Sequence, residues 1–148
     1  MTDTTYLDTS ALLKRYVPEL NSTAFEQFLQ DCVPATISRL AFVEVRSALA
    51  RKRREQHIDA DRERAAAAEL RQDVLDGLLI VAPAEDRHFI DAMHLIEHLP
   101  EFPLRTLDAL HLTLAQAMGA QVLATADDIM AKAATRLNFE VAFFGKTS

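Results

Sequence analysis

Thr4-Thr5-Tyr6-Leu7-Asp8-Thr9-Ser10-Ala11-Leu12-Leu13-Lys14-Arg15-Tyr16 reads as a short apolar strand that stops at an acid and turns directly into a helix. Thr9 and Ser10 are helix-capping types set directly after the strand. The same order recurs later, where Gln121-Val122-Leu123-Ala124 leads through Thr125-Ala126 to Asp127-Asp128 and another helical pattern. Between and beyond these stretches, short apolar runs alternate with helix-period segments. Strands are expected at Thr4–Leu7, Pro34–Ile37, Leu79–Ala82, Gln121–Ala124 and Glu140–Phe143. Helices are expected at Ser10–Val17, Thr23–Asp31, Arg39–Arg54, Ala60–Asp76, Glu85–His98, Leu107–Met118 and Asp128–Leu137. Asp59 or Asp61 can cap the alanine-rich helix and Gly77 can end it. Strand–helix alternation of this kind predicts an α/β fold, a parallel sheet with helices on both faces. Such sheets bind ligands beyond the carboxyl ends of their strands. Asp8 and Asp127 would both project there, and would be close together if their strands are neighbours.

The 148 residues fit one domain, 1–148, able to bury roughly 70% of the surface its unfolded chain exposes. Hydrophobic residues at 49% and charged residues at 26% are an ordinary globular balance. Cys32 is the only cysteine, which excludes an intrachain disulfide and suits a reducing compartment. Met1-Thr2-Asp3-Thr4 lacks a basic run before an apolar one and does not read as a signal peptide. The longest aliphatic run, near Leu78 to Ala82, is too short to span a bilayer. The expectation is a soluble, cytoplasmic protein. The net charge of −6 is the wrong sign for a simple nucleic-acid coat. Its distribution is uneven: Arg39 to Arg64 holds eight basic and five acidic residues, a net of +3, which leaves −9 for the rest. Arg46 and the run Arg51-Lys52-Arg53-Arg54 are candidates for nucleic-acid contact, or for a solvated helix end favoured by the helix dipole.

Taken singly, each acid has a structural explanation. Asp8, Asp108 and Asp127 could cap or complement helix starts, and Glu44 could face solvent. Glu44 fits that reading least well, because it shares a helix side with Leu40, Ala41 and Ala48. Asp108 stands among Leu104, Leu107 and Leu112. A buried carboxylate needs a partner or a metal. Two such charges about 5 Å apart repel by roughly 3 kcal/mol at an effective dielectric near 20. Oxygen-only ligands would favour Mg²⁺ or Mn²⁺ over zinc.

Four stretches together resemble the PIN-domain family, specifically its VapC-type toxin ribonucleases of type II toxin–antitoxin systems. Tyr6-Leu7-Asp8-Thr9-Ser10-Ala11-Leu12-Leu13-Lys14-Arg15-Tyr16 is similar to the family's opening strand and first acid. Val43-Glu44-Val45-Arg46-Ser47-Ala48-Leu49 is similar to the helix with the second. Leu104-Arg105-Thr106-Leu107-Asp108-Ala109-Leu110-His111-Leu112 is similar to the third, and Leu123-Ala124-Thr125-Ala126-Asp127 to the fourth. The resemblance implies a three-layer domain around a five-stranded parallel sheet. It also implies Mg²⁺- or Mn²⁺-dependent endonucleolytic cleavage of RNA, at tRNA or rRNA loops, by a homodimeric toxin with a cognate antitoxin. Asp8 and Asp108 would be direct ligands of the main ion. Glu44 and Asp127 would complete the site, serve a second ion or orient the attacking water. Asp128 could share the role of Asp127. Ser10 and Thr125 could hold a carboxylate or a metal-bound water, Thr9 reads better as a cap, and Arg105 and Arg46 could either contact a phosphate or form surface salt bridges.

Other readings remain open at this point. His94 and His98 have a zinc-compatible spacing but lack a His-Glu-x-x-His pattern. His111 is either packed or in support of the acids. No Gly-x-Ser-x-Gly elbow is present. An aspartyl phosphatase would expect an acid at Ser10, and Gly145-Lys146-Thr147 lacks the earlier P-loop glycine. From another class, a non-catalytic module binding RNA or a partner would use the acids structurally.

Overall fold

The computed structural model describes residues 4–147; residues 1–3, read above for a leader, lie outside the described residues. Strand β1 (Thr5–Leu7) ends at Asp8, whose side chain accepts from the Ala11 backbone N–H and so caps α1 (Thr9–Leu12). The cap is therefore Asp8; Thr9 is the first helical residue. The helix tightens into a 3₁₀ turn, Leu13–Arg15, instead of continuing to Val17. Pro18 gives the reason, since the residue before proline is pushed out of the helical region. Next come α2 (Ser22–Cys32), β2 (Ala35–Ser38), α3 (Leu40–Arg54), α4 (Ala60–Leu75) and β3 (Leu79–Ala82). β2 starts one residue later than expected: Pro34 has no N–H to donate, and Ala35 makes the first such bond, to Leu78 O at 3.0 Å. The chain ends with α5 (Asp86–His98), α6 (Thr106–Ala117), β4 (Val122–Thr125), α7 (Asp128–Arg136) and β5 (Glu140–Phe143).

All four strand pairings are parallel, in the order β3-β2-β1-β4-β5. β1 and β4 pair directly, with Leu7 opposite Ala124. The chain leaves β1 toward β2 and β3, then crosses back to place β4 on the other side of β1. That reversal opens a crevice at the carboxyl ends of β1 and β4.

Side chains alternate across the sheet. Leu7, Ile37 and Ala124 face a core built with α1 to α4, whose buried members include Ala41, Val45, Leu49 and Leu70. Tyr6 and Leu123 face a second core with Leu112, Leu114, Met130 and Ala133 of α6 and α7. β1, β2 and β4 are buried throughout, while β3 and β5 are partly exposed at the sheet edges. No helix among the described residues is long and apolar enough to cross a membrane.

Candidate active site

Asp8, Glu44, Asp108 and Asp127 line one cleft of about 860 Å³ at the carboxyl end of the sheet, together with Thr9, Ser10, Arg51, Arg105 and His111. The acids arrive there from four separate elements. Asp8 follows β1, Glu44 stands on α3, Asp108 occupies the first turn of α6, and Asp127 caps α7.

Asp8 is the most enclosed, 3% exposed. Ser10 Oγ donates to its Oδ1 at 2.7 Å, as does Ala11 N at 3.0 Å, and Thr125 Oγ1 donates to its Oδ2 at 2.6 Å. Ser10 also accepts from Ala126 N, and Thr125 from Asp127 N, so the two hydroxyls tie the β1 and β4 ends together. Burial pushes the Asp8 carboxyl above its ordinary value; His111, Thr125, Ser10 and the Ala11 N–H pull it partly back.

Glu44 lies on the flank of α3 beside the buried Ala41–Val45–Leu49 stripe. Its Oε1 accepts from Thr9 Oγ1 at 2.9 Å and pairs with His111 Nε2 at 2.6 Å. Burial alone would raise Glu44, but the bond and charge of His111, with the Thr9 bond, hold it below the usual value. Burial favours a neutral His111; Glu44 above all, then Asp8 and Asp108, reverse this and raise its pKa. The two shifts agree on an imidazolium–carboxylate pair.

The other two acids share one cation. Asp108 Oδ2 accepts from Arg105 N at 3.1 Å, reaching back over the first turn of α6. Asp127 Oδ1 accepts from Met130 N at 2.9 Å. The Arg105 guanidinium then stands 3.7 Å from Asp108 and 3.6 Å from Asp127 with its side chain 82% exposed. As oriented, no three His, Cys, Asp or Glu side chains among the described residues gather closely enough to ligate one ion. Carboxylates in one cleft repel, and each here leans on its own donor. In Glu44 and Asp108 all the protein hydrogen bonds fall on one oxygen, leaving the second without a hydrogen-bond partner among the described residues. This all-oxygen donor set fits a hard divalent cation.

A family model for the PIN domain matches residues 5–136. The chain belongs to the PIN-domain family. It is similar to Ribonuclease VapC46 of Mycobacterium tuberculosis, 36% identical over 138 residues covering 92% of this chain and 94% of that one. Its fold is similar to that of the crystal structure of Mycobacterium tuberculosis VapC20, a sarcin–ricin loop cleaving toxin, with TM-score 0.71 and 17% identity over 88% of this chain and 95% of that one. It is also similar to VapBC2 from Rickettsia felis bound to a DNA fragment from their promoter, with TM-score 0.61 and 16% identity over 95% and 98%.

In this PIN domain the expected acids share the cleft, and Asp128 does not. Asp128 is exposed and pairs with Lys132 at 2.9 Å. The expected basic surface is divided. Lys52 is held by Glu19 at 2.8 Å and Arg53 by Glu63 at 2.7 Å, with Arg46 4.0 Å from the same Glu63. Arg51 alone of these five lines the cleft, on the same face of α3 as Glu44 and about two helical turns further on. The aliphatic side chains of Val43 and Leu107, 71% and 41% exposed, also line it. His94 and His98 build no metal cluster among the described residues; His98 Nδ1 instead meets His94 O at 2.7 Å. The sequence alone leaves the role of His111 open. The available signal was a histidine one turn after Asp108, set between Leu110 and Leu112 of α6.

Proposed function

We propose that this protein is a Mg²⁺- or Mn²⁺-dependent endoribonuclease, the toxin of a toxin–antitoxin pair. One observation carries the reading: four carboxylates from chain-distant elements line one cleft, where Arg105 and His111 are the only basic side chains within ion-pair distance of them among the described residues. The name of the relative, Ribonuclease VapC46, supports RNA as the substrate. VapC20, described as cleaving the sarcin–ricin loop, supports a structured RNA target such as an rRNA or tRNA loop. VapBC2, a toxin with its antitoxin, supports a cognate antitoxin here, and a homodimer is part of the same reading.

Asp8, Glu44, Asp108 and Asp127 would hold the ion or ions. When bound, such an ion supplies charge neutralisation at the phosphate and acidification of water. Ser10 and Thr125 keep Asp8 aligned, and His111 with Thr9 keeps Glu44 aligned. Arg105 pairs with Asp108 and Asp127 at the cleft mouth, where with an ion bound to those acids it would be free to meet a phosphate. Arg51 meets a backbone phosphate further along the cleft. Val43 and Leu107 offer apolar surface to a sugar or base.

Water forms the new P–O bond as the P–O3′ bond breaks, which leaves a 5′-phosphate and a 3′-hydroxyl. Incubation of a tRNA pool with Mn²⁺, followed by ligation that requires a 5′-phosphate, tests this. Fragments that ligate directly support it. A 2′,3′-cyclic phosphate would show that the ribose hydroxyl attacked and would overturn it. The reading as a non-catalytic binding module draws on one observation, the Arg105 guanidinium across Asp108 and Asp127; it predicts RNA or partner binding with no cleavage in any metal.

A further inference from the structure

A hydrogen-bonded chain crosses the carboxyl end of the sheet from one helical layer to the other. Tyr6 Oη lies 2.6 Å from His111 Nδ1, and His111 Nε2 lies 2.6 Å from Glu44 Oε1. Tyr6 is 0% and His111 3% exposed, and the two rings pack edge-on with centroids 5.8 Å apart. The direction of the last bond does not depend on protonation. In a neutral ring that accepts from the Tyr6 hydroxyl at Nδ1, the proton sits on Nε2; in an imidazolium it sits there as well. Glu44 therefore accepts in both states. Thr9 donates to the same oxygen, so both protein bonds fall on Oε1 and none among the described residues falls on Oε2.

A glutamate on the flank of a helix has three side-chain torsions to lose when it is ordered. An anchored oxygen removes most of that freedom before any ligand arrives. A leucine at position 111 would fill an apolar layer with no polar group to satisfy; a histidine there needs partners at both nitrogens and has them.

We infer that His111 is a positioning residue for Glu44: braced by Tyr6, it holds one carboxylate oxygen so that the other is offered to a divalent cation in the cleft. This rests on the metal-dependent reading above.

Mn²⁺ titration of the RNA-free protein, followed by the electron paramagnetic resonance signal of free Mn²⁺, tests it, with a circular-dichroism melt as folding control. His111→Gln keeps an N–H near the Nε2 position; His111→Asn keeps a polar group near Nδ1 and loses the donor to Glu44. His111→Asn is expected to bind Mn²⁺ about 10- to 100-fold more weakly than wild type, with His111→Gln retaining most of the affinity. In a Glu44→Gln background, His111→Asn is expected to add no further loss. Wild-type affinity in folded His111→Asn overturns the inference. So does a loss that persists in full without Glu44, which would make His111 a packing residue. If a position-111 variant fails to fold, Tyr6→Phe reads the same chain, and an unchanged affinity there overturns it. If wild type binds no Mn²⁺, the metal reading fails together with this role; if it binds and the variants match it, only this role fails.

Discussion

Thr125 Oγ1 donates to Asp8 Oδ2 at 2.6 Å, joining the last residue of β4 to the residue that follows β1. This bond sits at the topological switch of the sheet, where the two central strands send the chain to opposite faces. With Ser10 it gives a carboxylate that is 3% exposed a donor on each oxygen. A charged group in that setting is compensated in geometry and still costs free energy to bury.

Asp8 is the first place to measure that cost. Burial raises its pKa, against the pull of His111 and its hydrogen bonds. The native state therefore holds the proton more tightly than the unfolded state. Stability falls as pH rises from the ordinary carboxylate value, 3.8, through the raised one. Asp8→Asn removes this cost and keeps the bonds from Ala11 and Ser10. In EDTA at neutral pH the variant is expected to melt at or above wild type, by about 2–4 °C per kcal/mol relieved. The difference should shrink toward pH 4. Melting curves across that range check it.

The Glu44–His111 pair has the opposite dependence at each end. The raised His111 pKa contributes stability that is complete below about 6.5 and is lost as pH rises through the raised value. The lowered Glu44 pKa contributes stability present above the ordinary carboxylate value and lost as pH falls through the lowered one. Glu44→Gln should flatten both limbs. Urea unfolding of metal-free protein between pH 3 and 9 gives the profile, and a variant with an unchanged alkaline limb would assign it to another group.

Arg105 competes with any cation for Asp108 and Asp127. Its guanidinium is largely exposed, so Arg105→Ala should change stability by no more than about 1 kcal/mol. Without it, Mn²⁺ affinity in the absence of RNA should rise by about 3- to 10-fold, in keeping with charges near 4 Å in high dielectric. Isothermal titration of Arg105→Ala beside wild type reads this directly. Weaker binding would mean that Arg105 organises the two acids instead of competing for them.

Arg51 and Arg54 are neighbours in sequence and differ in setting, since only Arg51 lines the cleft. In an Asp8→Asn background, Arg51→Ala should weaken binding of a fluorescent single-stranded RNA and reduce the slope of log affinity against log salt by about one. Arg54→Ala should do less on both counts. Equal effects would point to a diffuse basic surface.

The strand–helix alternation and the acids at strand ends were readable because both depend on local pattern and on a general rule about parallel sheets. Glu44 and Asp108 stood out as acids among apolar neighbours. The bond between Glu44 and His111 was not readable: the two are 67 residues apart and sit in opposite layers, so it depends on how α3 and α6 are rotated against the sheet. The basic run showed its charge but not its pairing, because Glu19 and Glu63 reach Lys52 and Arg53 only through tertiary packing. The choice of Asp8 over Thr9 as cap turned on a single residue in where α1 begins.

The most direct test is incubation of a total small-RNA pool with the purified, inhibitor-free protein in Mg²⁺, Mn²⁺ or EDTA, beside Asp8→Asn. Discrete fragments that require metal and vanish in the variant are the predicted result. No cleavage in either metal by folded protein, or full cleavage by folded Asp8→Asn, would contradict a metal-dependent nuclease built on these acids.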